Sequence, residues 1–338
     1  VETTVGEQTA IEWADATWNP WWGCQKVSPG CTNCYAETLS ARFYNGLWRE
    51  QRRRVQDWSL PAKVDRRAAR EGRRLRLFVA SMADVFDDHP AVTEWRSEAL
   101  RLLATLRNVD VLLLTKRPEN ILRMVPPEWD ETTVDWAEWP AHVWVGTTVE
   151  DQQRADERIP HLLGVPARVR FLSVEPMLGP VRLPLSCAVP GFATSGCVGE
   201  DGACGVGVSG IHWVIAGGES GAKARPSHPD WFRSVRDQCR SAGVPFLFKQ
   251  WGEWAPGDDV DANGTGWPGM HEPHPEDGGA RRHTWPDAPV REAARRLGKG
   301  EIPHEVGGDT TVLRVGKKAA GRLLDGVQHD GFPEVTRG

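Results

Sequence analysis

Six short runs of almost unbroken apolar or β-branched residues constrain the fold of this chain most. They fall at residues 75–81 (LRLFVAS), 109–114 (VDVLLL), 143–147 (VWVGT), 169–174 (VRFLSV), 211–216 (IHWVIA) and 245–248 (PFLF). Strands buried on both faces read as continuous apolar runs, whereas strands with one wet face alternate. Between the runs lie amphipathic stretches such as residues 92–106 and 231–242, long enough to serve as the crossover helices that parallel strands require. The pattern predicts an α/β fold.

In such folds the ligand lies at the carboxyl ends of the strands. Here those ends carry Ser81 and Asp84; Lys116 and Arg117; Glu150 and Asp151; Glu175; Glu219 after Gly217 and Gly218; and Lys249. One charged tip would mean nothing, because loops are polar. Six of six predict a shared polar cavity at one end of a barrel.

A loop near the start of the chain, TWNPWWGCQKVSPGCTNCYAETL at residues 17–39, places Cys24, Cys31 and Cys34 in the spacing C-x6-C-x2-C, directly before a helical segment. Closed structural zinc and iron–sulfur sites take four ligands. Three thiols leave a position open for a substrate or cofactor, and a helix N-terminus behind them stabilises thiolate charge. Three readings stand: a group of buried cysteines, a zinc site completed by a distant His or Cys, and an open-site [4Fe–4S] cluster.

The bounds set by composition agree with a soluble globular protein. In 338 residues, 40% are hydrophobic and 26% charged, and no apolar run approaches the length of a bilayer span. The first ten residues do not read as a signal peptide, so the expected location is the cytoplasm. There, cysteines in ligand-like spacing point to metal chemistry rather than disulfides. The net charge of −5 argues against non-specific coating of duplex DNA, which needs many phosphates neutralised. A local basic run, Arg49 to Arg76, offers a place for phosphate contact.

Residues 9–255 are expected to form the barrel, interrupted at 183–210 by a Gly-, Ser- and Cys-containing insertion without strand or helix period. Cys187, Cys197 and Cys204 sit in that insertion and match no ligand spacing. Cys239 reads as a core thiol, and His271, His274 and His283 as solvated loop residues. Residues 256–338 read as an irregular extension that closes with a strand and a basic helix.

Several blocks together resemble one family: IEWADATWNPWWGCQKVSPGCTNCYAE, SMADVF, LLTKRPEN, VWVGTTVEDQ, RFLSVEPMLGPV, WVIAGGESG, PFLFKQWGEW and VGKKAAGRLLDG. It is the phage Gp37/Gp68-like proteins, a three-Cys-motif (DUF5131) family considered related to the radical S-adenosylmethionine (SAM) enzymes. The resemblance implies a partial or complete (β/α) barrel in which Cys24, Cys31 and Cys34 hold a [4Fe–4S] cluster with one iron open to SAM. Reductive cleavage of SAM, fed by an external electron donor, would generate a 5′-deoxyadenosyl radical that abstracts hydrogen from a substrate. Most radical SAM enzymes space their cysteines C-x3-C-x2-C; the longer first loop here can still reach a cubane.

By the same resemblance Tyr35 would lie beside the adenine, and Asp84, supported by Ser81, would meet the methionine ammonium. Glu150 and Glu175 would bind ribose hydroxyls or substrate. Lys116 and Arg117 would hold a carboxylate or phosphate, and Gly217 and Gly218 would allow close backbone approach. Glu219 and Lys249 would work as acid, base or anchor. The expected substrate class is a nucleotide or nucleic acid base, on which Trp21, Trp22 or Trp251 could stack, and a three-Cys-motif protein is an expected partner. A second function class competes: a non-catalytic nucleic-acid-binding or accessory protein with a structural zinc or iron–sulfur site. It requires a fourth protein ligand near the cysteine loop and no SAM binding.

Overall fold

A computed structural model describes residues 9–43, 48, 50–130, 138–185, 210–256, 304–305 and 311–334. Strands β1 (Ala16–Trp18) and β2 (Trp21–Trp22) lead into the cysteine loop, which ends at helix α1 (Tyr35–Phe43). Strand β3 (Arg53–Arg54) pairs back on β2 in antiparallel register, Trp21 opposite Arg54. The repeating part follows: α2 (Leu60–Glu71), β4 (Leu75–Val79), α3 (Thr93–Ala104), β5 (Val109–Thr115), the single turn α4 (Ile121–Met124), β6 (Val143–Thr148), α5 (Gln152–Leu163), β7 (Arg170–Val174), β8 (Trp213–Gly217), α6 (Pro229–Ala242) and β9 (Phe246–Gln250).

One sheet of seven parallel strands runs β1-β4-β5-β6-β7-β8-β9, each strand beside the next one in sequence. Crossovers that always step the same way keep one hand and put every helix on one face; the sheet then curls into a partial (β/α) barrel. The expected fold class is therefore what the chain adopts. The helices stop where local chemistry stops them: α2 and α6 end at Gly72 and Gly243, whose φ of 64° and 65° suit a residue without Cβ.

Alternation along each strand sorts the core in two. On the helix side, Leu77, Val79, Val111, Leu113, Leu172, Val214 and Phe248 pack with Val64, Leu100, Leu103, Ile159 and Phe232. On the other face Phe78, Leu112, Trp144, Phe171, Trp213, Ile215 and Leu247 fill the barrel interior with no helix residue among them. Trp13, from the segment before β1, stacks 4.5 Å from Phe78 and closes this interior. Much of the tryptophan in the chain is thus core.

After β9 the chain forms a small antiparallel sheet, order β10-β12-β11, from β10 (Trp254–Pro256), β11 (His304–Glu305) and β12 (Thr311–Arg314). The expected basic helix is a single turn, α7 (Lys317–Ala320), followed by the hairpin of β13 (Leu323–Leu324) and β14 (Val327–Gln328). Asp325 and Gly326 make its two-residue turn with φ of 53° and 74°, the left-handed pair that such hairpins need. Asp325 also takes Arg233 and Arg236 of α6 at 2.7 and 2.5 Å. The next residues run antiparallel along the outer edge of β9, with Asp330 bridged to Leu247, and Phe332 lies 5.1 Å from Trp213. An edge that would otherwise offer free backbone groups is covered.

Candidate functional site

Parallel strands bring all their carboxyl ends to one side, so the six charged tips share one mouth. The cysteine loop lies across it. Cys24 follows β2; Cys31 closes a 3-10 turn, Pro29–Cys31, and is buried; Cys34 directly precedes α1. All three are free thiols. Burial pushes the Cys24 thiol up to about 12, with Asp84 adding to the rise and Arg117 opposing it. Burial also raises Cys34, against the backbone N–H groups of Glu37 and Ala36 at the start of α1. Metal uptake here must displace protons.

The donor set can be tested against the groups it might hold. Among the described residues no three His, Cys, Asp or Glu side chains converge on a single metal ion. A cubane asks less of them, since each thiolate takes its own iron. Three free thiols on one loop fit such a cluster.

The predicted tip residues divide by what they touch. Asp84 is buried and fully engaged, with Oδ1 accepting from Thr115 Oγ1 (2.7 Å) and the Phe86 amide (3.0 Å), and Oδ2 from the Lys116 amide (3.0 Å) and Arg117 Nη1 (2.9 Å). Arg117 continues to Asp87 (3.4 Å), to the Gln25 carbonyl (2.7 Å) and to Cys24 Sγ (3.7 Å). Burial alone would lower the guanidinium pKa, but Asp84, Cys24 and Asp87 outweigh it and hold the charge firmly.

Glu150 is completely buried. It accepts from Ser28 Oγ (2.5 Å) and Arg158 Nη1 (2.7 Å), with Lys116 Nζ 3.5 Å away. Burial works to raise its carboxyl, and Lys116, Arg158 and Ser28 together bring it below the ordinary 4.5. Glu219 accepts from Arg225 Nη2 (2.6 Å) and Asn33 Nδ2 (3.1 Å). Against the raising effect of burial, Arg225 and Asn33 hold it low.

Glu175 and Lys249 differ. They form a 2.7 Å ion pair, both side chains partly open to solvent. Gly217 makes room beside them, because a Cβ there would sit 3.3 Å from Glu175 Cδ. Tyr35, 48% exposed, donates its hydroxyl to the Ser81 carbonyl at 2.7 Å, and Ser81 Oγ meets Asn19. Ala80, between β4 and Ser81, has φ of 64°, a conformation uncommon outside glycine.

Other expectations change. The close approach at Gly218 is to the chain itself: a Cβ would meet the Trp251 carbonyl oxygen. Trp21 and Trp251 are buried, which leaves only Trp22 of the three partly accessible. Much of the basic run is paired: Arg52 with Asp87, Arg54 with Glu98, Arg73 with Asp15 and Glu71, Arg74 with Asp110, and Arg76 with Asp15. Cys239 is a core thiol, pushed up to about 12 by burial. Cys187, Cys197, Cys204, His271, His274 and His283 lie outside the described residues. Sequence reasoning missed Ser28, Asn33, Asp87, Arg158 and Arg225; only their three-dimensional partners reveal them. No described helix is long and apolar enough to cross a membrane.

No curated protein matches the chain. Among solved structures, three of spore photoproduct lyase are similar, remotely. A tyrosine-to-phenylalanine mutant shares 11% identity at a TM-score of 0.38, covering 93% of this chain and 73% of that one. A double mutant with bound AdoMet and dinucleoside spore photoproduct shares 10% at 0.34, covering 89% and 69%. With a cysteine-to-serine mutant the figures are 14% and 0.34, covering 48% of this chain; the match spans less than half of that protein's length, 46%. Residues 8–333 match the model of a family described as a protein of unknown function, DUF5131. The chain belongs to the DUF5131 family.

Proposed function

We propose that the protein is a radical SAM-like enzyme in which Cys24, Cys31 and Cys34 hold a [4Fe–4S] cluster and SAM binds at its open iron. One observation carries this reading: three free thiols on a single loop lie over the carboxyl ends of a parallel (β/α) partial barrel, where such folds place ligands. When bound, the cluster and SAM would supply one-electron chemistry that removes a hydrogen from a substrate.

The chain's own residues supply position and exclusion of water. The aromatic floor of Trp13, Phe78, Trp144, Phe171 and Trp213 seals the barrel below the mouth. The Glu175–Lys249 pair offers one anion and one cation on the open side, and Tyr35, 48% exposed, lies within electrostatic reach of Glu175. With Lys116, whose side chain is 22% exposed, these are mouth groups open to cofactor or substrate. A nucleotide or nucleic acid base remains the substrate class we propose.

The test is anaerobic iron–sulfur reconstitution of the full chain, then incubation with SAM and dithionite and an assay for 5′-deoxyadenosine. Product that disappears in Cys31→Ala is the expected result. Stoichiometric zinc, no cluster and no SAM cleavage would overturn it in favour of a structural metal site.

A further inference from the structure

At three of the places where the cysteine loop meets the barrel mouth the contact is a charged side chain, each from a different strand tip; Asn33 also donates to the Lys223 carbonyl at 2.7 Å. After β5, Arg117 donates to the Gln25 carbonyl at 2.7 Å and lies 3.7 Å from Cys24 Sγ. Asp84 and Asp87 hold the guanidinium from the barrel side, and Arg52 backs Asp87 at 2.6 Å. After β6, Glu150 accepts from Ser28. Gly30 lies so close to it that a Cβ would come within 2.8 Å of the Glu150 carboxyl carbon. After β8, Glu219 accepts from Asn33 and holds Arg225, whose Nη2 donates to the Pro29 carbonyl at 3.1 Å.

Each anchor has its charge balanced by the barrel: Arg117 by two aspartates, Glu150 by Arg158 and Lys116, Glu219 by Arg225. What each turns outward meets the loop. We propose that Arg117, Glu150 and Glu219 are positioning residues, a three-point clamp that holds Cys24, Cys31 and Cys34 over the mouth before any metal binds. The inference rests on reading this loop as the cofactor loop. Its physical advantage is preorganisation: ordering the loop is settled at folding, so cofactor capture does not carry that entropy cost.

Hydrogen exchange of the metal-free full chain, followed peptide by peptide with the melting temperature alongside, tests the clamp. Ser28→Ala removes the loop-side contact to Glu150, and Asn33→Ala those to Glu219 and to the Lys223 carbonyl, while Glu150 and Glu219 keep their barrel partners, so the fold survives them. We expect loop residues 24–34 to exchange about five- to tenfold faster in each, with α5 and β6 changing less and the melting temperature falling by no more than about 4 °C. Ser28→Thr, which keeps the hydroxyl, restores slow exchange. Arg117→Gln loosens the Cys24 end most; should it fail to fold, the two loop-side variants decide. Loop exchange equal to the parent in Ser28→Ala and Asn33→Ala, or no rescue by threonine, would overturn the clamp. Because no cofactor is present, that failure is separate from failure of the radical SAM reading.

Discussion

At the tips of β5, β6 and β8, Arg117, Glu150 and Glu219 are at most 6% exposed and turn toward the cysteine loop; at β7 and β9, Glu175 and Lys249 meet each other and stay partly open. Both sets are charged residues directly after or within a buried strand, and by sequence they look alike. The difference lies in burial and in what faces them. A buried charge must be paired at once, so the first set is committed to structure. A pair that keeps 17% and 18% of its side-chain surface open to solvent is less committed, and a ligand can reach it.

The largest effect that sharpens this contrast should come from Arg117→Met. It takes the guanidinium from the buried Asp84 while Asp87 keeps Arg52, and should cost about 3–5 kcal/mol of unfolding free energy, read by chemical denaturation. Next, Gly30→Ala should cost about 1–3 kcal/mol, because the added methyl collides with Glu150 and the loop must move. Gly217→Ala, beside the open pair, only crowds Glu175 and should cost less; equal losses at the two glycines would break the contrast.

Glu219→Gln gives a pH signature. The folded-state carboxyl is held below its ordinary 4.5, so it contributes stability above that pH and loses it as the pH falls through the lower folded value. The parent should exceed the variant by about 1–2 kcal/mol at neutral pH, and the two denaturation curves should converge in acid. A gap that does not narrow as the pH falls below 4.5 would deny the ionised role. The smallest effect belongs to Lys249→Met, about 1 kcal/mol or less. Its consequence should instead show in SAM or substrate binding, measured by calorimetry on the reconstituted protein.

The strands were legible because a doubly buried strand has to be apolar throughout. All six runs became strands, with ends displaced by a residue or two, as at β8, which starts at Trp213 rather than residue 211. The tips were legible as positions but not as roles. Glu150 reads as a ligand residue until Ser28, 122 positions away, is seen to bind it; Asn33 and Glu219 are separated by 186. Pairings of that range leave no local pattern. The arginines of 49–76 read as a basic face, and only the fold brings Asp15, Asp87, Glu98 and Asp110 against them. Trp21 and Trp251 sit in loop-like sequence yet are buried, Trp251 against Phe232 of α6 and Phe248 of β9.

The most direct measurement is the iron and acid-labile sulfide content of the anaerobically reconstituted protein, with its EPR spectrum after reduction, for the parent and for Cys24→Ala, Cys31→Ala and Cys34→Ala. The account predicts about four irons and four sulfides per chain, a reduced-cluster signal that shifts when SAM is added, and loss of both in every cysteine variant. A parent protein that binds one metal ion and no sulfide, or a cluster that survives removal of any one of the three cysteines, would contradict it.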